Sequence, residues 1–262
     1  MAERSDPKLY SIPPRQGFAD ALVEGVLSQY GADRMVLARG IILAASNRSV
    51  RAISDAFVRR AEQGLLLPRL VTIGDADLEE SAGLIFDGPQ TAPIPPAVQP
   101  LRRQLILARL IQQGSKGDAL VDAGAAMRLA ADLARTLDQL TIEGIDPRLL
   151  ARLPVKDELQ EHWQKSLDLL DVVLRQWPLE LEEMGCIDLA DRRNRLLDST
   201  AQKWRAEPPG SFVIAAGIST AAPAVARLLK VIANSPNGAV IFSGVDLAMR
   251  EDEWDSIRGG RR

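Results

Sequence analysis

The stretch that decides the fold is "YSIPPRQGFADALVEGVL", residues 10–27. A short apolar segment is followed by a loop that contains two prolines and a glycine, and then by the start of a helix. Many nucleotide-binding folds place their phosphate-binding loop in this order of elements, between a strand and the helix that follows it. The chemistry of the loop therefore decides whether a phosphate is bound there.

The elements around this stretch alternate between strand and helix patterns. "KLYSI" predicts a strand, Phe18–Tyr30 a helix, "MVLARGIILAA" a buried strand, 48–63 a helix and "LPRLVTIGD" another strand. Alternation of this kind is typical of a parallel sheet covered by helices. The predicted fold class is therefore α/β.

Two proline-rich segments divide the chain. "DGPQTAPIPPAVQP", residues 87–100, predicts an extended connector, and "EPPGS", residues 207–211, marks a second boundary. The segment between them has helical periodicity, whereas "FVIAAG" and "GAVIFSG" after it have strand patterns. We expect one α/β domain made of residues 1–95 and 207–262, interrupted by an all-α insertion of residues 96–206.

Within the helical segment, Pro100 suits a first helical turn, Asp118 can cap the next helix, and Pro178 predicts a kink or a split in a long helix. The arginine pairs at 59 and 60, 102 and 103, and 192 and 193 are typical of solvated helix faces. The spacing predicts one apolar face on the first of these helices, formed by Leu101, Leu105, Ala108 and Ile111.

The composition excludes several classes of protein. The formal net charge of −3 argues against a surface coated with positive charge, so any contact with nucleic acid must be local. One cysteine and one histidine exclude an internal disulfide and leave too few ligands for a structural zinc site. The scarcity of Tyr and Trp argues against a surface that stacks many bases. No signal-like or membrane-spanning apolar segment is present, so a cytoplasmic location is expected.

The loop after the first strand lacks the groups that a phosphate loop needs. A Walker-type loop requires convergent backbone amides, a lysine and a following Ser or Thr. "PPRQGF" has neither the lysine nor the hydroxyl, and its two prolines remove two amide donors. We therefore expect no ATP binding at this loop, and Arg15 is interpreted as a solvated turn residue.

Two further loops carry polar residues between a strand and a helix. The segment "ILAASNRSVRAISDAFVRR" places Asn47, Arg48 and Ser49 there, and "AAGISTAAP" places Ser219 and Thr220 there. In an open parallel sheet this position faces ligands, and free amides beside an arginine suit a nucleic-acid phosphate. The alternative is that Ser46 or Asn47 is an N-cap and Arg48 is simply solvated.

Other candidate groups have weaker support. Asp75 and Asp77 follow a strand and could hold magnesium, but acidic loop residues without a phosphate loop are more often solvated. His162 has no partner histidine and no nucleophile turn beside it, so a hydrolytic triad is not indicated.

The succession of segments resembles a known family. "YSIPPRQGFADALVEGVL", "ILAASNRSVRAISDAF", "LLLPRLVTIGDAD", "PPAVQPLRRQLILARLI", "AADLARTLDQLTIEGID", "HWQKSLDLLDVVLRQWPLELEEMGCIDLADRRNRLL", "VIAAGISTAAPAVARLLKVIA" and "GAVIFSGVD" together are similar to the N-terminal part of AddB proteins of the alphaproteobacterial type. These are double-strand-break repair subunits that pair with AddA. The specificity comes from the order of the segments, because no single motif is strong.

The resemblance implies a superfamily-one helicase-like domain that has lost its motor function, with the active motor in AddA. "PPRQGF" then stands where the phosphate loop would be, and "SNRS" corresponds to the motif that contacts the backbone of single-stranded DNA. The family more often has a Pro-Thr-Arg-Arg type sequence there, so Arg48 is retained while Ser46, Asn47 and Ser49 depart from it. "VIAAGIST" lacks the Asp-Glu pair of active helicases.

The functional expectation is a non-catalytic module that contacts DNA and its partner subunit during end resection. Its DNA-binding residues are Asn47, Arg48, Ser49, Ser219 and Thr220, it needs no cofactor or metal, and its partners are an AddA-type motor and single-stranded DNA. The family continues to further helicase-like domains and a nuclease domain with an iron–sulfur cluster, so the chain is expected to be a fragment or a truncated reading frame. The alternatives are an α/β ATPase with an atypical nucleotide site and a scaffold that only holds AddA.

Overall fold

The computed structural model describes most of the 262-residue chain and divides it into two compact units. The sheet unit comprises Met1–Asp75, Trp204–Ser219 and Leu229–Arg262, and the helical unit comprises Ala76–Lys203 and Thr220–Leu228. The residues described are 6–61, 64–73, 93–114, 121–152, 160–220, 222–246 and 248–259.

The sheet unit is built on a five-stranded sheet in which every neighbouring pair of strands is parallel. The strands lie in the order β1-β5-β4-β2-β3. This confirms the predicted α/β class. The strands are β1 Leu9–Ile12, β2 Ile41–Ala44, β3 Arg69–Thr72, β4 Val213–Ala216 and β5 Gly238–Ser243.

Helices make up most of the remaining regular structure of the described residues. A 3₁₀ helix spans Pro147–Arg152. The α-helices are α1 Phe18–Tyr30, α2 Arg34–Arg39, α3 Asn47–Arg60, α4 Pro100–Gly114, α5 Ala123–Glu143, α6 Gln160–Glu183, α7 Leu189–Ala206, α8 Pro223–Ala233 and α9 Glu251–Gly259.

Most predicted elements are confirmed, and the differences are local. The predicted bounds of α1 match the structure, whereas α3 begins one residue earlier and ends three residues earlier than 48–63. Asp118 lies outside the described residues, and the N-cap of α5 is Asp122, whose Oδ1 accepts from the Ala125 amide at 2.8 Å. Pro178 does not split α6, which continues through it as one helix.

The core of the sheet unit lies between the sheet and helices α1 and α3, which pack on each other. The connections from β1 to β2 and from β2 to β3 run in the same direction along the sheet, so right-handed crossovers place α1 and α3 on the same face. The fully buried side chains that form this layer include Leu22, Val23, Ile42, Ile53, Phe57 and Phe212.

The helical unit has its own apolar core, in which α4 packs against α5 and α6. The predicted apolar face of α4 is wrong in part: Ala108 and Ile111 are buried, but Leu101 and Leu105 are 64% and 53% exposed. Arg103 takes the inward position instead and is only 6% exposed. The buried face of α4 is therefore Arg103, Leu107, Ala108, Leu110 and Ile111.

A buried ionic network accounts for the inward position of Arg103 on α4. The Nη1 of Arg103 donates to both carboxylate oxygens of Asp138 at 2.8 Å, and its guanidinium lies 5.9 Å from the Trp177 ring centroid. Its Nε lies 2.9 Å from Asp188 Oδ1 without hydrogen-bonding alignment, and Trp177 Nε1 donates to Asp188 Oδ2 at 2.9 Å. The interpretation of the 102–103 pair as a solvated face is therefore wrong for Arg103, because two carboxylates offset the burial of its charge.

The 192–193 pair requires the same correction. Arg193 is only 5% exposed, and burial lowers the pKa of its guanidinium. In contrast, Arg59 and Arg60 lie at the sheet unit's surface, where they form ion pairs with Asp20 at 2.7 Å and Glu24 at 3.2 Å.

Candidate nucleic-acid interface

All the loops that follow the strands lie at one edge of the sheet, because the strands are parallel. The register pairs Ile12 with Ser243 and Ala44 with Ala216 at this carboxyl edge. The chain leaves β2 toward β3 on one side and leaves β4 toward β5 on the other, although β2 and β4 are neighbours. Open α/β sheets bind ligands at such a reversal of strand order. The carboxyl ends of β2 and β4 therefore define the candidate site.

The loop after β1 is a compact turn that begins α1 without a side-chain cap. The Gln16 amide donates to the Pro13 carbonyl at 3.0 Å, and Gly17 is the N-cap of α1 with no side-chain hydrogen bond. The end of β1 is tied to the loop after β5, since the Gly244 amide donates to the Ile12 carbonyl at 2.9 Å and the Val245 amide donates to Ser11 Oγ at 3.1 Å.

Pro14 of this loop and Phe18, the first residue of α1, lie against the backbone that follows β5 and β4. Gly244 has φ +71°, and a Cβ there would lie 3.3 Å from the Pro14 ring. Gly217, just after β4, has φ +65°, and a Cβ there would lie 3.1 Å from the Phe18 ring. Pro14 and Phe18 therefore pack directly on the backbone of the two neighbouring loops, where a phosphate loop would instead turn its amides toward a ligand.

These contacts were not predicted from the sequence. Both glycines end strand-like segments, "FVIAAG" and "GAVIFSG", and glycine after a strand permits a left-handed turn and a close approach. That signal indicates a tight turn, but it does not reveal which side chain approaches the glycine. The strand order supplies this information by placing β5 next to β1 and β4 next to β5.

The loop after β2 is organised around Ser46. Ser46 has an extended backbone and is the N-cap of α3: its Oγ accepts from the Ser49 amide at 3.3 Å and lies 3.2 Å from Ser49 Oγ. The alternative that Ser46 is an N-cap is thus confirmed. Ser49 is half-buried and engaged with this cap, while Asn47 and Arg48 are exposed.

Arg48 and Arg51, in the first turns of α3, differ in their surroundings from Arg59 and Arg60 at its end. Arg59 and Arg60 form ion pairs with two carboxylates of α1. Arg48 has no ion-pair partner within the described part of the chain. Its guanidinium is therefore available to an anion at the point where the strand order reverses. A backbone phosphate matches this group in charge and in hydrogen-bonding geometry.

Ser219 and Thr220 follow β4 and are both exposed. Ser219 lies at the carboxyl edge, just after β4. Because β4 neighbours β2, Ser219 is on the same edge as Asn47, Arg48 and Ser49, which follow β2. Thr220 is grouped with the helical unit, and its Oγ1 accepts from the Ala222 amide at 3.2 Å, just before α8. The structure thus collects four of the five predicted residues at one edge, and their role in binding remains a prediction.

The remaining candidate groups add no chemistry to this edge. Asp75 and Asp77 and the side chain of His162 lie outside the described residues. Among the residues that are described, no cluster of three or more His, Cys, Asp or Glu side chains could hold a metal ion. Within the same residues, no helix is long and apolar enough to span a membrane.

Comparisons with known proteins identify no relative: neither the scan against protein-family models nor the search of curated proteins gives a match. What the structure defines is an α/β protein with a five-stranded parallel sheet.

Proposed function

We propose that this chain is a non-catalytic, helicase-like module of an AddB-type subunit. In this role the sheet unit contacts single-stranded DNA during the processing of double-strand breaks, and the helical unit corresponds to the insertion of a helicase-like domain. The proposal rests on the succession of sequence segments that resembles AddB, together with the parallel sheet and the position of its polar loops.

One observation carries the proposal: the two strand–loop–helix units of the carboxyl edge have opposite properties. After β1, the chain has no lysine or hydroxyl for a phosphate, and Pro14 and Phe18 lie against Gly244 and Gly217. The loop after β2 exposes Arg48 at the reversal of strand order. A motor needs the first loop to hold a triphosphate, whereas backbone binding to DNA needs only the second.

The proposed partners follow from the resemblance. An AddA-type subunit would supply the ATP-driven motor, and the present chain would supply DNA contacts and a docking surface in the cytoplasm. This chain is then not itself an enzyme, since "PPRQGF" has no lysine and "VIAAGIST" has no Asp-Glu pair.

Binding of fluorescein-labelled oligothymidylate, followed by fluorescence anisotropy over a salt series, tests the DNA contact. Weak, salt-sensitive binding is expected, because phosphate contacts dominate the affinity. Arg48→Glu should weaken the binding, while Arg128→Glu on α5, which is also exposed, should leave it unchanged. Equal affinity of the Arg48→Glu variant and the parent protein would contradict the proposal.

Calorimetric titration with Mg–ATP tests the alternative of an atypical ATPase. No saturable heat is expected at micromolar nucleotide, because the loop after β1 lacks the lysine and the hydroxyl that hold a triphosphate. A saturable heat that disappears in an Arg15→Glu variant would favour the ATPase instead. Tight association with an AddA-type subunit without any DNA affinity would favour a pure scaffold.

A further inference from the structure

A second surface of the sheet unit carries cations that the carboxyl-edge site does not use. It lies at the opposite, amino edge of the sheet, where the strands begin. One pocket there, of about 290 Å³, is lined by residues that include Trp204, Arg205, Lys230 and Pro236. A larger one, of about 490 Å³, is lined by residues that include Tyr30, Arg39, Phe212 and Asn237.

These two pockets lie side by side at the amino edge, separated by a region too narrow to admit a water molecule, and we call the surface that holds both of them the amino-edge groove. A narrow region between them shares Trp204 and Ser235 with the first pocket. The same region shares Pro209, Ser211 and Asn237 with the second. All of these residues belong to the sheet unit, so the groove runs across the starts of β5, β4 and β2 within one compact body.

The charge of the groove is positive. Arg39, Arg205 and Lys230 are exposed, and none of them has an ion-pair partner among the residues that the structure describes. Each lies in the last turn of its helix, where a cation favourably meets the helix dipole. That effect accounts for each residue alone. The exposed acids nearest to them in the chain are Asp33 at the start of α2 and Glu207 beside Arg205, and three cations at one edge still favour an anion there.

Aromatic rings form part of the groove's walls. Trp204 lines the first pocket, and Tyr30, whose ring stacks on Phe212 with centroids 4.1 Å apart, lines the second. Burial, and to a smaller extent Tyr10, raises the pKa of the Tyr30 phenol, so this ring stays neutral at physiological pH. Trp204 and Phe212 are only 5% and 2% exposed, so the half-buried Tyr30 is the aromatic side chain of these three that a ligand could contact beside the cations.

Two hydroxyls and one strand amide of the groove are already bonded within the protein. Ser211 Oγ donates to the Val36 carbonyl at 3.3 Å, and Ser235 Oγ donates to the Val231 carbonyl at 2.8 Å. The backbone at the strand starts is paired as well: the Val213 amide donates to the Asn237 carbonyl at 2.9 Å.

Because these groups are already bonded, the groove favours one of two classes of polyanion. An acidic peptide that binds in an extended conformation relies on main-chain hydrogen bonds, which the Val213 amide, already paired, cannot supply. A single-stranded nucleic acid can bind through its phosphates, which need positive charge rather than free main-chain groups. We propose that the amino-edge groove binds the phosphate backbone of single-stranded nucleic acid, as a second contact on the opposite edge of the sheet from Arg48. The identity of this ligand rests on the proposed function, whereas the location of the contact does not.

The test measures binding of fluorescein-labelled oligothymidylate over a salt series for Arg205→Ala/Lys230→Ala, Arg39→Ala, Arg48→Ala and the combination of all four substitutions. Each phosphate contact contributes about −0.7 to the slope of log K against log salt for single strands. The double variant should therefore flatten the slope by about 1.4, and Arg39→Ala and Arg48→Ala by about 0.7 each. The losses should add in the combined variant.

The matched control is Arg102→Ala/Arg128→Ala, which removes the same charge from exposed positions of the helical unit and should leave the slope unchanged. Unaltered melting temperatures show that each variant is folded. Poly-glutamate should compete poorly with the oligonucleotide.

The outcomes separate this inference from the proposed function. An unchanged slope in both groove variants, with binding lost in Arg48→Ala, overturns the groove while the carboxyl-edge contact stands. A reduced slope in the groove variants with no effect of Arg48→Ala supports the groove and contradicts the carboxyl-edge contact. Displacement of the oligonucleotide by poly-glutamate at equal charge concentration, or no binding by the parent protein, overturns the inference.

Discussion

Two arginines show how differently the two units of this protein use the same side chain. In the helical unit, Arg103 is 6% exposed and is surrounded by Asp138, Asp188 and the ring of Trp177. In the sheet unit, Arg48 is exposed at the carboxyl edge and has no ion-pair partner within the described residues. The first charge stabilises the fold, and the second is available for a ligand. Neighbouring charge and burial, rather than residue type, decide between these roles.

The largest expected effect is the loss of stability when the buried arginine is removed. Arg103→Ala leaves Asp188 buried without its cation, and breaking a buried ion pair in this way costs about 3–5 kcal/mol. Urea unfolding measures this cost, with Arg128→Ala on the exposed face of α5 as a control that should change stability by less than about 0.5 kcal/mol. Similar losses in the two variants would remove the distinction between buried and exposed arginines.

The second effect concerns the closure of the carboxyl edge. Gly217→Ala places a Cβ on a backbone with φ +65° and 3.1 Å from the Phe18 ring, so a loss of about 1–3 kcal/mol is expected. Gly25→Ala on α1 has nothing within 4 Å of the added Cβ and should instead stabilise by about 0.5–1 kcal/mol. Opposite signs of these two changes in thermal unfolding would confirm that the loop after β1 packs tightly on β4.

The third effect concerns the start of α3. Ser46→Ala removes the hydrogen bond to the Ser49 amide and should cost about 1 kcal/mol, while Ser46→Gly should cost only a few tenths. Chemical denaturation of the two variants measures the difference. Equal stability of the alanine variant and the parent protein would show that Ser46 does not act as the N-cap in solution.

The fourth effect is a pH dependence from Asp188. Burial raises the pKa of this carboxyl, and the opposing influences of Arg103 and Trp177 do not cancel the rise. The folded state therefore binds the proton more readily than the unfolded chain, and Asp188 favours folding least at neutral pH and increasingly as the pH falls toward the ordinary aspartate value. The stability of the parent protein relative to Asp188→Asn should fall as the pH rises from about 4 to 7. A relative stability that rises with pH would contradict this direction.

The smallest expected effect on stability is that of Arg48→Ala, which should lie within about 0.5 kcal/mol of zero because the side chain is exposed. The same variant should bind oligothymidylate more weakly. A large loss of stability would show that Arg48 has a structural role like that of Arg103.

The sequence predicted the elements better than their surroundings. The apolar spacing between Pro14 and Gly31 defined α1, and the short apolar runs after Gly210 defined β4 and β5, because local periodicity and turn residues limit each element. The buried face of α4 was predicted incorrectly, because the pattern placed Leu101 inward and Arg103 outward. Asp138 and Asp188, far away in the sequence, make the burial of Arg103 possible.

The residues of the candidate site were also predicted from the sequence, but their neighbours were not. Asn47, Arg48, Ser49 and Ser219 were found from the sequence because each lies where a strand ends and a helix is about to begin. That β2 and β4 are neighbours depends on the strand order, which no local pattern contains. The contacts of Pro14 with Gly244 and of Phe18 with Gly217 depend on the same order.

The sequence by itself therefore determined the α/β class, the order of the elements and the absence of a lysine from the loop after β1. Only the tertiary structure decided which loops share an edge, which arginines are buried, and which cations surround the amino-edge groove. The physical reason is that helices and strands follow from neighbours along the chain, whereas burial and charge environment follow from residues that folding brings together from distant positions.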